Sequence, residues 1–74
     1  MPELYDKDGK KIDTHVVSDK EVHDKDHHKT DWIDKDGNIH KAGDTGGIFS
    51  DPKTIGTWDG DTLRDKDGNE IGHK

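Results

Sequence analysis

Asp6-Lys7-Asp8-Gly9 recurs as Asp34-Lys35-Asp36-Gly37 and as Asp65-Lys66-Asp67-Gly68, and each copy is bracketed by aliphatic or aromatic residues, with Ile12, Ile39 or Ile71 following closely. The first Asp of such a turn can accept a backbone N–H two residues on. Lys-Asp fits the two right-handed positions of a type I turn, and Gly supplies the positive φ that closes it as a bulge. Antiparallel pairing about these turns sets Tyr5 opposite Lys11, Leu4 opposite Ile12, Leu63 opposite Ile71, Ile33 opposite Ile39 and Trp32 opposite His40. Cross-strand apolar pairs of this kind are the unit of sheet stability. The turns therefore predict hairpins.

Working outward, Val22-His23-Asp24-Lys25-Asp26-His27-His28 keeps Asp-Lys-Asp in register with the first unit and puts His27 where Gly stands elsewhere. His is among the non-Gly residues that tolerate the left-handed conformation, so this stretch reads as a worn copy of the same turn. Ser18-Asp19-Lys20-Glu21 is a polar turn, and residues 41–47 form a Gly-rich stretch expected to be a mobile loop. Ile48 to Trp58 reads as a further hairpin around Pro52, and Asp59-Gly60 as a tight turn. No segment carries a sustained 3.6-residue periodicity. The expected fold is all-β, a single domain over residues 1–74 with little or no helix. It consists of about four hairpin units, starting at Leu4, Val22, Ile48 and Leu63, packed around a pseudo-symmetry axis. A competing count follows only the intact turns and has three units.

The four-unit pattern resembles the small bacterial four-fold beta flower family. The residues that carry the likeness are Leu4-Tyr5-Asp6-Lys7-Asp8-Gly9-Lys10-Lys11-Ile12, Ile48-Phe49 with Ile55-Gly56-Thr57-Trp58, and Leu63 with Asp65-Lys66-Asp67-Gly68-Asn69-Glu70-Ile71-Gly72. The resemblance implies a rosette of hairpins and brings no catalytic residue.

Composition narrows the function classes. Of 74 residues only 23% are apolar and 41% are charged, a balance that borders on disorder, but the apolar residues recur at fixed offsets from the turns. No Cys is present, so no disulfide supports so small a core. The N-terminal residues have neither the charge nor the apolar run of a signal peptide, and no apolar run is long enough to span a membrane, so a cytoplasmic protein is expected. Eighteen acidic residues against 12 basic ones disfavour direct nucleic-acid binding. Catalysis is not expected either, since the two Ser lie in turns and the carboxylates sit beside Lys in exposed turns.

Two binding readings remain. The first is a small acidic interaction module, self-associating or an inhibitor of a basic or nucleic-acid-binding protein partner, with Tyr5, Trp32, Phe49 and Trp58 as its interface anchors. The second is a small-ligand or metal-binding protein whose site lies on the repeat axis or at the His23–His28 cluster. There His23, Asp26 and His28 are the candidate ligands for weak Zn²⁺ or Ni²⁺ binding, and no other cofactor is expected. Calcium fails a positional test. The EF-hand loop needs ligands at positions 1 and 12, which here fall on Leu4, Trp32 and Leu63 and on His15, Gly43 and Lys74.

Overall fold

The computed structural model describes residues 3–74 as eight antiparallel strands in a closed barrel, each paired with its neighbours in chain order. They are β1 (Glu3–Tyr5), β2 (Lys11–Val17), β3 (Glu21–His23), β4 (Lys29–Ile33), β5 (Asn38–Lys41), β6 (Gly56–Trp58), β7 (Thr62–Asp65) and β8 (Glu70–His73). Tyr5 opposite His73 closes the ring. There is no helix among the described residues. None is therefore long and apolar enough to cross a membrane.

Each strand contributes a buried residue to the interior. In order they are Leu4, Val16, Val22, Ile33, Ile39, Trp58, Leu63 and, on β8, Gly72. Three cross-strand pairs build most of this ring, with Val16 opposite Val22, Ile33 opposite Ile39 and Trp58 opposite Leu63. At the eighth position there is no room for a side chain. A Cβ on Gly72 would stand 3.2 Å from the Leu4 Cβ and 2.6 Å from the Ile12 Cδ1. A single ring of seven apolar side chains explains how a chain this polar folds: little else has to be buried.

The Asp turns form as the sequence predicts, and the worn copy is the same turn as the others. At Asp6, Asp24, Asp34 and Asp65, the carboxylate Oδ1 accepts the amides two and four residues on, at 2.8–3.0 Å. The fourth residue of each turn donates its amide to the carbonyl of that Asp, and it lies at positive φ: Gly9, His27 (65°), Gly37 and Gly68. Because strands alternate in direction, connections alternate between two rims. The turns at Asp6, Asp24 and Asp65 share one rim with the β5–β6 connection. The intact turn at Asp34 lies on the other rim, with Ser18-Asp19 and Asp59-Gly60. Intact turns alone therefore miscount the repeat, and the four two-stranded units are β1–β2, β3–β4, β5–β6 and β7–β8.

Three expectations are corrected. Tyr5 pairs with Lys11 as expected, but Glu3 then pairs with His15, so a bulge intervenes where Leu4 was to face Ile12. In the same way Arg64 pairs with Glu70 and Leu63 with Gly72, which leaves Ile71 out of the ladder and 43% exposed. Bulges bend a strand and add twist, which a ring this narrow requires. The third correction concerns the unit placed at Ile48. Residues 48 to 55 form no strand, and the third unit is β5 paired with β6, with Ile39 opposite Gly56.

Candidate functional site

The β5–β6 connection, residues 42–55, is the one long excursion from the barrel, and Asp44 organises it. Its carboxylate accepts the Gly46 amide at 3.0 Å and the Lys53 amide at 3.1 Å, drawing the two limbs of the loop together. The outer face of the barrel then holds both limbs. The Trp32 indole Nε1 donates to the Asp44 carbonyl at 3.0 Å, and His40 Nδ1 donates to the Lys53 carbonyl at 2.8 Å. Gly46, at φ +84°, turns the chain so closely that a Cβ there would lie 2.6 Å from the Ser50 carbonyl oxygen. Gly47 bridges to Ser50 across the apex, its amide donating at 2.9 Å. This leaves Ile48 and Phe49 at the apex, 93% and 99% exposed.

His40 is the polar anchor of this assembly. It is 3% exposed, its ring packs on Trp32 at 4.4 Å between centroids, and its Nε2 donates to Asp34 Oδ2 at 2.8 Å. A carbonyl and a carboxylate can only accept, so this geometry favours the form with a proton on each ring nitrogen, the imidazolium. Burial alone disfavours that charge. The hydrogen bonds to Asp34 and Lys53, with the nearby charges of Asp34 and Asp44, outweigh it and hold His40 above its ordinary pKa. The hydrogen bond from His40 in turn holds the Asp34 carboxyl below its ordinary value, against burial and helped by the Asn38 and Asp36 amides.

The four aromatic candidates separate by position. Phe49 is free at the loop tip, Tyr5 is half-buried with its hydroxyl 3.4 Å from Glu3 Oε2, and Trp32 is committed to His40 and the loop. Trp58 is a core residue at 5% exposure, and its indole Nε1 donates to Asp19 Oδ1 at 3.0 Å, so it presents no surface to a partner.

Comparison with known protein families, with curated protein sequences and with solved structures finds no match. The likeness to the four-fold beta flower therefore rests on its hairpin motifs alone.

The metal candidates also separate. Asp26 and His28 lie in the β3–β4 turn with Asp24, close enough for one ligand atom of each to lie within 4.8 Å of the others. Asp24 Oδ1 is already taken by two amides there, as its counterparts are in the three sister turns. His23 belongs elsewhere. It stands on β3 opposite His15, with ring centroids 5.7 Å apart, and its Nε2 lies 3.0 Å from Glu21 Oε1. His27 Nδ1 comes to 3.2 Å from His15 Nε2. Sequence reasoning passed over both His15 and His40. Each sits beside a core residue on its strand and faces outward, where alternation predicts an exposed side chain; only the covering groups, His27 in one case and the loop in the other, bury them. The repeat axis offers a small cleft of about 160 Å³ lined by every strand but β1, with Val22, Ile39 and Leu63 at its base and Thr30, Ile55 and Ile71 around it.

Proposed function

We propose that this protein is a non-enzymatic interaction module that docks the Ile48-Phe49 tip into an apolar pocket on a basic protein surface. The observation that carries the reading is the near-complete exposure of two adjacent large apolar side chains on a loop that the barrel holds in place. Nothing in the packing of the barrel uses them. Burying both against a partner would contribute roughly 3–6 kcal/mol, and pre-ordering the loop lowers the entropy lost on docking. A formal net charge of −6 supports a basic surface around that pocket, because complementary charge steers encounter and rejects acidic partners.

The test is a retention experiment on immobilised protein, with the variant I48S/F49S beside the native chain at low salt and at about 0.5 M salt. The reading expects a discrete basic protein held by the native chain at low salt, released at high salt and not held by the variant. Equal retention by the variant, or capture indifferent to salt, would overturn it.

A further inference from the structure

We infer that His15 and His27 form a two-imidazole chelating site for a divalent transition-metal ion such as Zn²⁺ or Ni²⁺. Four observations converge on it. The facing nitrogens, His15 Nε2 and His27 Nδ1, are 3.2 Å apart, and the rings meet edge-on with centroids 5.0 Å apart. Two imidazoles bound to one tetrahedral zinc at 2.0–2.1 Å hold their nitrogens about 3.3 Å apart, so the pair already has the bite the metal requires.

The tautomers also suit ligation. His15 is buried; with its Nδ1 proton directed at the Asp13 carbonyl oxygen, 3.4 Å away, Nε2 is the lone-pair nitrogen, and it is the atom that His27 Nδ1 meets. An imidazole whose other nitrogen is held by a carbonyl or carboxylate is the usual form of a metal-ligating histidine.

Third, His27 occupies a left-handed position, φ 65°, that the three sister turns fill with Gly. A non-Gly residue there carries strain, and such strain marks places where a side chain is needed for something other than the turn. Here the side chain it supplies is the one that meets His15.

Fourth, the pair lines a cleft of about 350 Å³ whose walls include the carboxylates of Glu3 and Asp13 and the ammonium groups of Lys11 and Lys25. Lys11 is paired with Glu3 at 3.1 Å, which leaves Asp13 and Lys25 as the other charged groups of the walls. The cleft has room for the waters that complete four-coordination.

The site is distinct from the Asp24, Asp26 and His28 cluster, and variants separate them. Titration of the full, tag-free chain with Zn²⁺ or Ni²⁺ at neutral pH should show one ion per chain, tighter than about 10 μM, with a melting temperature raised by about 5 °C or more at excess metal. His27→Gly restores the residue of the sister turns, so it should fold at least as well without metal, yet weaken binding by about 30-fold or more. His27→Asn, another residue that tolerates the left-handed region, should do the same. His28→Ala should bind as the native chain does. Binding no tighter than about 10 μM, native affinity in His27→Gly and His27→Asn, or loss of affinity in His28→Ala would overturn the assignment.

Discussion

Gly37 and Gly68 hold the same place in the same turn, at φ +84° and +87°, and differ only in what surrounds them. A Cβ on Gly68 would meet nothing within 4 Å, whereas one on Gly37 would lie 2.4 Å from the Trp58 carbonyl oxygen. Gly68→Ala should therefore cost only the left-handed strain, roughly 1–2 kcal/mol, and Gly37→Ala roughly 3 kcal/mol or more, as the β6 backbone must give way. Urea unfolding of the two variants measures the difference, and equal costs would show that β6 yields freely. The sequence marks both glycines as turn residues, but their environments depend on which rim each turn occupies, which the repeat of letters conceals. His40 is a second case. Its pKa is raised in the folded chain, so its contribution to stability is fully present below its ordinary value of 6.5 and is lost as pH rises through the raised value. Asp34, Asp24, Asp59 and Asp65 lie below their ordinary value of 3.8, so their contributions are present above it and are lost as pH falls through the lowered values. Maximal stability should fall between these two ranges. The urea midpoint of the native chain should drop as pH rises above the ordinary His40 value of 6.5, and that drop should shrink in His40→Gln, which cannot titrate. An undiminished drop in the variant would assign the effect to another group.

The Asp turn is the element the sequence announces most clearly, and its first carboxylate does the closing. At Asp65 the Oδ1 accepts the Asp67 and Asn69 amides, both at 2.9 Å. Asp65→Ala removes that acceptor and should lower the urea midpoint and speed amide exchange in the β7–β8 hairpin, while Asp65→Asn, which keeps an acceptor oxygen, should do so much less. Similar losses in both would mean that charge, rather than acceptance, matters there. The worn turn at Asp24 was legible for the same reason: its carboxylate and its left-handed fourth position survive the replacement of Gly by His27. What was not legible is the shape of the ladders beyond the turns. A bulge leaves no mark in an alternating pattern, so Ile71 reads as a core residue although it stands outside the pairing. Ile48-Phe49 misleads differently, because an exposed apolar pair ahead of a Pro turn has the letters of a strand entering a hairpin. Asp44 decides otherwise by taking the Gly46 and Lys53 amides itself.

At the scale of the whole molecule, closure of the barrel removes the free strand edges through which small β proteins usually associate. Association must then use side chains, and the exposed apolar tip at Ile48 and Phe49 is the evident place. At neutral pH a formal charge of −6 keeps copies apart. Protonating all six His would take that charge to zero, close to the pI of 5.3, and repulsion would vanish while the tip stayed exposed. Light scattering of the native chain should therefore rise between about pH 7.5 and about pH 5.2. I48S/F49S has the same charge at every pH and lacks the apolar contact, so it should remain far clearer over that range. If both chains scatter alike, loss of charge suffices and the tip plays no part in self-association; if neither scatters, the remaining surface keeps copies apart without net charge. A rise confined to the native chain would show that repulsion is what holds the tip free at neutral pH, the condition under which a basic partner, attracted rather than repelled, has access to it.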